Sequence, residues 1–256
     1  MPGVGAIHID EIEPTLMPLQ KALGVDLINN TLGSVGKREF SGDIDVALNI
    51  QREQIPEFLE RLQKTGLVQD VAQSSVIMTK VKIQNFDKSK SDGRPRTGYV
   101  QVDFMPGDPD WMKTYYHSPH EQDSKFKGNI RNILLSTMAA YLDTQISPNT
   151  IPDGRPEEVT RYLWGANGLV KIRRTPKPKA SGNGYTKANQ NEIIGGPWKK
   201  PAEIAKIMKM DSPADLDSYE TLEAAIRKNY PPETYEQIMQ QFHDNEIVQQ
   251  ALGDQS

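Results

Sequence analysis

Residues 33–48 read Gly33-Ser34-Val35-Gly36-Lys37-Arg38-Glu39-Phe40-Ser41-Gly42-Asp43-Ile44-Asp45-Val46-Ala47-Leu48: a small-residue turn, two cations, a second small pair, then a segment whose side chains begin to alternate polar and apolar. That alternation is the period of a strand with one face buried. In such a strand Asp43 and Asp45 share a face and Ile44 turns to the core. Two carboxylates so close repel unless a cation lies between them. An all-oxygen donor set suits Mg2+ or Mn2+.

A second alternating segment, residues 99–105 (YVQVDFM), carries Asp103 between Val102 and Phe104. If the two strands are neighbours, three carboxylates meet on one sheet face. That is the arrangement two-metal phosphoryl or nucleotidyl transfer requires, with two Mg2+ or Mn2+ ions and a nucleoside triphosphate as substrate. Ahead of the pair, Gly33 lets the backbone approach a phosphate and Ser34 adds a hydroxyl donor. Lys37 and Arg38 can offset triphosphate charge, and Ser41-Gly42 offers a second close-approach point. The segment GSVGKR does not meet the GxxxxGK[ST] phosphate loop, which excludes ATPase chemistry of that type.

These residues resemble the signature of the DNA polymerase β-like nucleotidyltransferase superfamily: Gly-Ser, a gap, Asp-x-Asp on a strand, and a third carboxylate on a later strand. The SGDID portion is especially similar to the family X polymerases. The match covers roughly residues 10–145. The resemblance implies that Asp43 and Asp45 bind both metals, that Asp103 binds the catalytic metal and helps deprotonate the acceptor hydroxyl, and that Gly33 and Ser34 contact the β- and γ-phosphates with Lys37 or Arg38 assisting. Lys127, in a predicted helix with Lys125 and Arg131, is the candidate for the lysine that template-independent members send to the triphosphate. The residues ahead of the motif are too few for the DNA-binding helix-hairpin-helix region of family X, and the gap before Asp-x-Asp is one residue shorter. The expectation is therefore a template-independent enzyme.

Apolar spacing predicts helices at 11–29, 55–67 and 124–142 and strands at 43–50, 76–86 and 99–105, with an exposed loop at 88–97. The pattern is α+β: a nucleotidyltransferase-type mixed or antiparallel sheet flanked by helices. Composition changes after Pro148, so the expected division is a catalytic domain at 1–150 and a mainly helical region at 151–256. The latter is read as a short helix, a strand at 168–174, a flexible basic loop and helices over 200–249 broken by Pro213, Pro231 and Pro232.

The net charge of −4 conceals an asymmetry: eight basic residues against one acid from Gly165 to Ala202, and ten acids against two bases from Asp211 onward. The basic 171–200 segment is a candidate RNA contact. The absence of cysteine excludes disulfides, thiol catalysis and Cys-ligated zinc. His117 and His120 are spaced HxxH without a third ligand nearby. No apolar run has the length of a membrane span and the N-terminus does not read as a signal peptide, so the expected location is cytoplasmic with no membrane partner. The acceptor expected is an RNA 3′ end. The alternatives are a small-molecule or protein adenylyltransferase, and a non-catalytic binding or virion component that keeps the fold.

Overall fold

The first helix begins at a cap. The His8 imidazole accepts the Asp10 amide and the Glu11 carboxylate takes the His8 amide, closing both ends of a capping box. In the computed structural model, which describes residues 1–253, this produces α1 (Ile9–Leu23) just after the two-residue strand β1 (Ile7–His8). The helix starts and ends earlier than its apolar spacing predicts. Pro14 lies inside it, and Gly24 ends it in the left-handed region, φ 65°. Leu27 continues the apolar spacing but is buried from outside the helix.

The chain divides into two units, Met1–Gly128 and Asn129–Ser256. The first continues with β2 (Phe40–Ser41), β3 (Asp43–Leu48), α2 (Ile55–Lys64), β4 (Val68–Gln73), β5 (Ile77–Lys82), β6 (Tyr99–Pro106) and α3 (Pro109–Tyr115). Its main sheet has the order β3-β6-β5-β4. The β3–β6 pair is parallel and the other two are antiparallel. Ile44, Val46 and Leu48 of β3 and Val100, Val102 and Phe104 of β6 face one core with Leu16 and Leu19 of α1 and Phe58 and Leu62 of α2. The opposite face carries Asp43, Asp45, Gln101 and Asp103, with Met78 and Lys80 of β5 beside them in register.

Two elements of this unit escape sequence periodicity. Strand β4 is an edge strand with no buried residue, half of it polar, and α3 is a short helix opened by Asp108, whose carboxylate accepts the Asp110 and Trp111 amides. The 88–97 loop is a loop, but it is tied down at its end. The Gly5 amide bonds the Tyr99 carbonyl, the Ala6 amide bonds the Pro95 carbonyl, and a Cβ on Gly5 would lie 2.4 Å from that Pro95 oxygen. Gly5→Ala should therefore lower stability by about 1–3 kcal/mol, as an overpacked contact does, read from the urea midpoint.

The second unit contains α4 (Gly128–Tyr141), β7 (Gln145–Ile146), β8 (Val159–Gly165), β9 (Gly168–Pro178), β10 (Tyr185–Trp198), α5 (Pro201–Ile207), α6 (Tyr219–Asn229), α7 (Pro232–His243) and α8 (Glu246–Gly253). The division falls after the first residue of α4, earlier than the 150/151 boundary read from composition. Side-chain bonds explain this: the Arg131 guanidinium donates to the Leu216 carbonyl and the Trp164 indole to Asn132 Oδ1.

The region after 151 is not mainly helical. Its first half is an antiparallel sheet of order β10-β9-β8-β7. Residues 159–165 form a strand where a helix was expected, and most of the expected basic loop is the β9–β10 hairpin, whose backbone groups pair along nearly its whole length. The fold is thus mixed α+β in both units. Among the described residues no helix is long and apolar enough to cross a membrane.

Candidate metal and nucleotide site

Strand register brings the three aspartates together. Asp45 stands opposite Asp103 across the parallel β3–β6 pair, and Asp43 stands opposite Gln101. Each of the three offers a carboxylate oxygen, and these oxygens lie within 4.8 Å of one another. No other such cluster of acids and histidines occurs among the described residues, and neither His117 nor His120 belongs to this one.

The triad is graded in burial from exposed Asp43 through half-buried Asp45 to buried Asp103. Burial, then the charge of Asp43, then that of Asp103, push Asp45 up to about 7. Burial and the Asp43 charge also raise Asp103, against the Gln101 amide, which donates to both its oxygens at 3.0 and 3.1 Å. The cause of the burial is visible in the packing. Leu32, Ala47 and Met112 form a small cluster on the aspartate face, with Met105 and Tyr116 against it. Three like charges converging there repel one another, and their oxygens could hold a divalent cation.

The turn before β3 abuts the triad through the backbone. The Leu32 amide donates to the Asp45 carbonyl at 2.9 Å, and Thr31 bridges Val46. Gly33 and Gly36 then adopt φ 64° and 72°, a conformation glycine enters without the penalty of a side chain. Gly33 and Ser34 thus open the turn that follows the Leu32–Asp45 backbone bond.

The cations are placed differently. Lys37 Nζ donates to the Ser118 carbonyl at 2.7 Å. Arg38, one-tenth exposed, donates to the Ser124 and Phe126 carbonyls and lies 3.5 Å from Glu121. Both staple the 33–38 turn to residues 118–126. Ser41 Oγ is buried without a hydrogen bond, while Gly42 has open space on its Cα except for Arg94, whose Nη1 would be 3.7 Å from a Cβ there. Lys127 is exposed and just precedes α4, and Lys125 lies over the Phe126 ring. Arg131 is turned away from solvent: it is 2% exposed, bonded to Leu216, and burial lowers it to about 10. It cannot share a solvent face with Lys127.

Three neighbours were not singled out by sequence or were set aside. Arg94 reaches Gly42, next to Asp43, from the 88–97 loop. Lys80 is on the aspartate face opposite Gln101. Tyr116 feels Asp45: its hydroxyl is raised by burial, by Tyr115 and by the Asp45 charge. Tyr115 and Tyr116 meet edge to face at 4.8 Å, while Trp111 is core. The strand alternation around Lys80 was available to sequence reading; the loop path that delivers Arg94 was not.

Comparison with protein-family models finds no match, and comparison with curated protein sequences finds none.

Proposed function

We propose that this protein is a metal-dependent nucleotidyltransferase that moves a nucleoside monophosphate from a triphosphate to an acceptor hydroxyl, with an RNA 3′ end as the favoured acceptor. The observation that carries the reading is the register of Asp45 against Asp103 with Asp43 alongside, three carboxylates focused on one point of an otherwise core-forming sheet. The acceptor oxygen forms a bond to the α-phosphorus, the bond from that phosphorus to the bridging oxygen breaks, and pyrophosphate leaves. Asp103 accepts the hydroxyl proton at a carboxylate oxygen, and Gln101 holds that carboxylate in place. Mg2+ or Mn2+, held by Asp43, Asp45 and Asp103, would neutralise the triphosphate and acidify the attacking hydroxyl. The backbone of the 33–36 turn offers a close approach for phosphate oxygens. Lys37 and Arg38 act by fixing that turn, Lys80 on the aspartate face and Arg94 beside Gly42 offer cations to the triphosphate, and Lys127 remains the candidate that the family resemblance implies.

The test is label transfer. Purified protein with Mn2+ or Mg2+ and each α-labelled triphosphate is offered RNA, protein and small hydroxyl compounds, and label in RNA with pyrophosphate release is expected. Label in protein or in a small compound would move the acceptor; no label with any triphosphate and any acceptor would refute the reading. Tyr116, beside Asp45 and half-buried, offers a ring to the base or sugar of the incoming nucleotide. Tyr116→Ala is expected to raise KM for the triphosphate on the order of tenfold, as loss of a stacking face does, measured by steady-state kinetics.

A further inference from the structure

The two faces of the β8–β10 sheet carry arginines under opposite electrostatic conditions. Register places Arg173 and Glu192 on one face. There Arg173 lies 3.0 Å from Glu192 and 3.3 Å from Glu158, and is neutralised. Arg174 points the other way, onto the face where Arg161 stands on the neighbouring strand: Arg161 pairs with Ile172 and Val159 with Arg174. Among the described residues no carboxylate pairs with Arg161 or Arg174. Arg174 Nε donates to Asn191 Oδ1 at 3.1 Å, and Arg161 Nε is buried with no hydrogen bond, as Arg173 Nε is on the other face, but Arg161 has no carboxylate beside it. Burial, and then the Arg174 charge, hold Arg161 below the ordinary guanidinium value. Like charges close together on a sheet, one with an unsatisfied donor, are destabilising in isolation. An anion would relieve both conditions.

Beside the arginines lies a groove of about 390 Å³ with Val170 and Ile172 in its floor and Leu163, Asn191 and Ile193 along it. Leu163 and Ile193 are 37% and 60% exposed on the face that carries the two arginines. The strands and turns from 159 to 198 hold seven Lys and Arg against the single acid Glu192, so the field over the whole hairpin is positive. Forked guanidinium donors match phosphate oxygens, apolar side chains accept the face of a base, and the Asn191 amide can meet a base edge.

We propose that this face of the β8–β10 sheet binds a single-stranded nucleic acid, with Arg161 and Arg174 on backbone phosphates and bases against Leu163 and Ile193. Its meaning as the place of the acceptor strand rests on the nucleotidyltransferase reading; the binding itself does not, and it is tested without metal or triphosphate.

Full-length protein is titrated into a labelled single-stranded oligonucleotide, as RNA and as DNA, in EDTA, with fluorescence anisotropy as the readout. Binding should weaken with salt. The double variant Arg161→Gln/Arg174→Gln should bind at least about tenfold more weakly and lose about 1.4 from the slope of log affinity against log salt, about 0.7 per phosphate contact on a single strand. Arg173→Gln, on the neutralised face, should stay within about twofold. Leu163→Glu, at an exposed position of the proposed face, gives a second loss independent of the arginines, and thermal melts confirm that each variant is folded. RNA preferred over DNA identifies the strand as RNA; equal binding sustains the proposal for single strands of either sugar. The proposal is overturned by absence of binding, by equal loss in Arg173→Gln, or by polyglutamate competing as well as nucleic acid, which would make this an acidic-protein surface. Asp45→Asn should bind the oligonucleotide as the unaltered chain does, so failure of the catalytic reading and failure of this one are separable.

Discussion

Asp45→Asn is expected to raise the melting temperature of the metal-free protein at pH 8 while abolishing the Mn2+ response and the nucleotidyl transfer proposed for this site. The carboxyl of Asp45 is raised from 3.8 to about 7 by burial and by Asp43 and Asp103. A raised folded-state value means that the group's contribution to stability is fully present below its unfolded value and is lost as pH rises through 7. At pH 8 the ionised carboxylate therefore opposes folding, with a ceiling of roughly 4 kcal/mol for a displacement of that size. Solvent reaching the half-buried carboxylate reduces this to roughly 2 kcal/mol, or on the order of 5 °C for a unit of this length. The gain should shrink at pH 5, where Asp45 is already largely protonated in the folded chain. Bound divalent cations should reverse the sign. They should stabilise the unaltered protein more at pH 8 than at pH 6, because proton and metal compete for the same oxygens. The Asn variant should show no such shift and should lose transfer by several kcal/mol of transition-state stabilisation, roughly 10³-fold. Differential scanning fluorimetry in EDTA and in Mn2+ at both pH values reads all of this. An Asn variant that melts lower than the parent at pH 8, or still responds to Mn2+, would sink the metal assignment.

What made this site legible was strand alternation in two segments that each have one buried face. DIDVAL and YVQVDFM announce which carboxylates share a side because Ile44, Val46, Val102 and Phe104 must go to the core. The sequence does not say which strands are neighbours. The parallel pairing of β3 with β6, on which the meeting of Asp45 and Asp103 depends, comes from the chain passing through α2, β4 and β5 before returning. Strand β10 was illegible for a different reason. Its residues YTKANQNEII are mostly exposed and polar, so nothing alternates, and the strand is held by backbone pairing to β9. Cations were the least readable class. Arg38, Arg131 and Arg161 look alike in the sequence, yet one anchors a turn on the Ser124 and Phe126 carbonyls, one is buried on Leu216 and one shares a sheet face with Arg174. Those outcomes depend on partners distant in the chain.

Arg96→Met should be the most destabilising single change outside the hydrophobic cores. Arg96 and Glu11 are 4% and 2% exposed in their side chains and meet in a two-pronged pair at 2.7 and 2.8 Å. Arg96 also donates to the Ala6 and Asp87 carbonyls and lies over the Phe40 and Phe86 rings. Glu11 accepts the His8 and Asp87 amides, so the pair ties the start of α1 to both ends of the loop that carries Arg94 to Gly42. Burial opposes ionisation of Glu11, but hydrogen bonds from Arg96 and from those two amides outweigh it and hold the carboxyl below 4.5. A depressed value contributes stability above the unfolded pKa that is lost as pH falls through the folded one. Removing only Arg96 leaves a buried carboxylate without its cation, which costs about 3–5 kcal/mol. With the Arg96 bonds gone, burial raises Glu11, so the deficit relative to the parent should widen from pH 4 to pH 7. The double variant Glu11→Gln/Arg96→Met carries no buried charge, and the Gln carbonyl still accepts a backbone amide, so it should recover a large part of the loss. Urea unfolding at the two pH values gives the order: parent, then double variant, then Arg96→Met. If the double variant is no more stable than Arg96→Met at pH 7, the stranded carboxylate is not the source of the loss, and the cation's packing between Phe40 and Phe86 is.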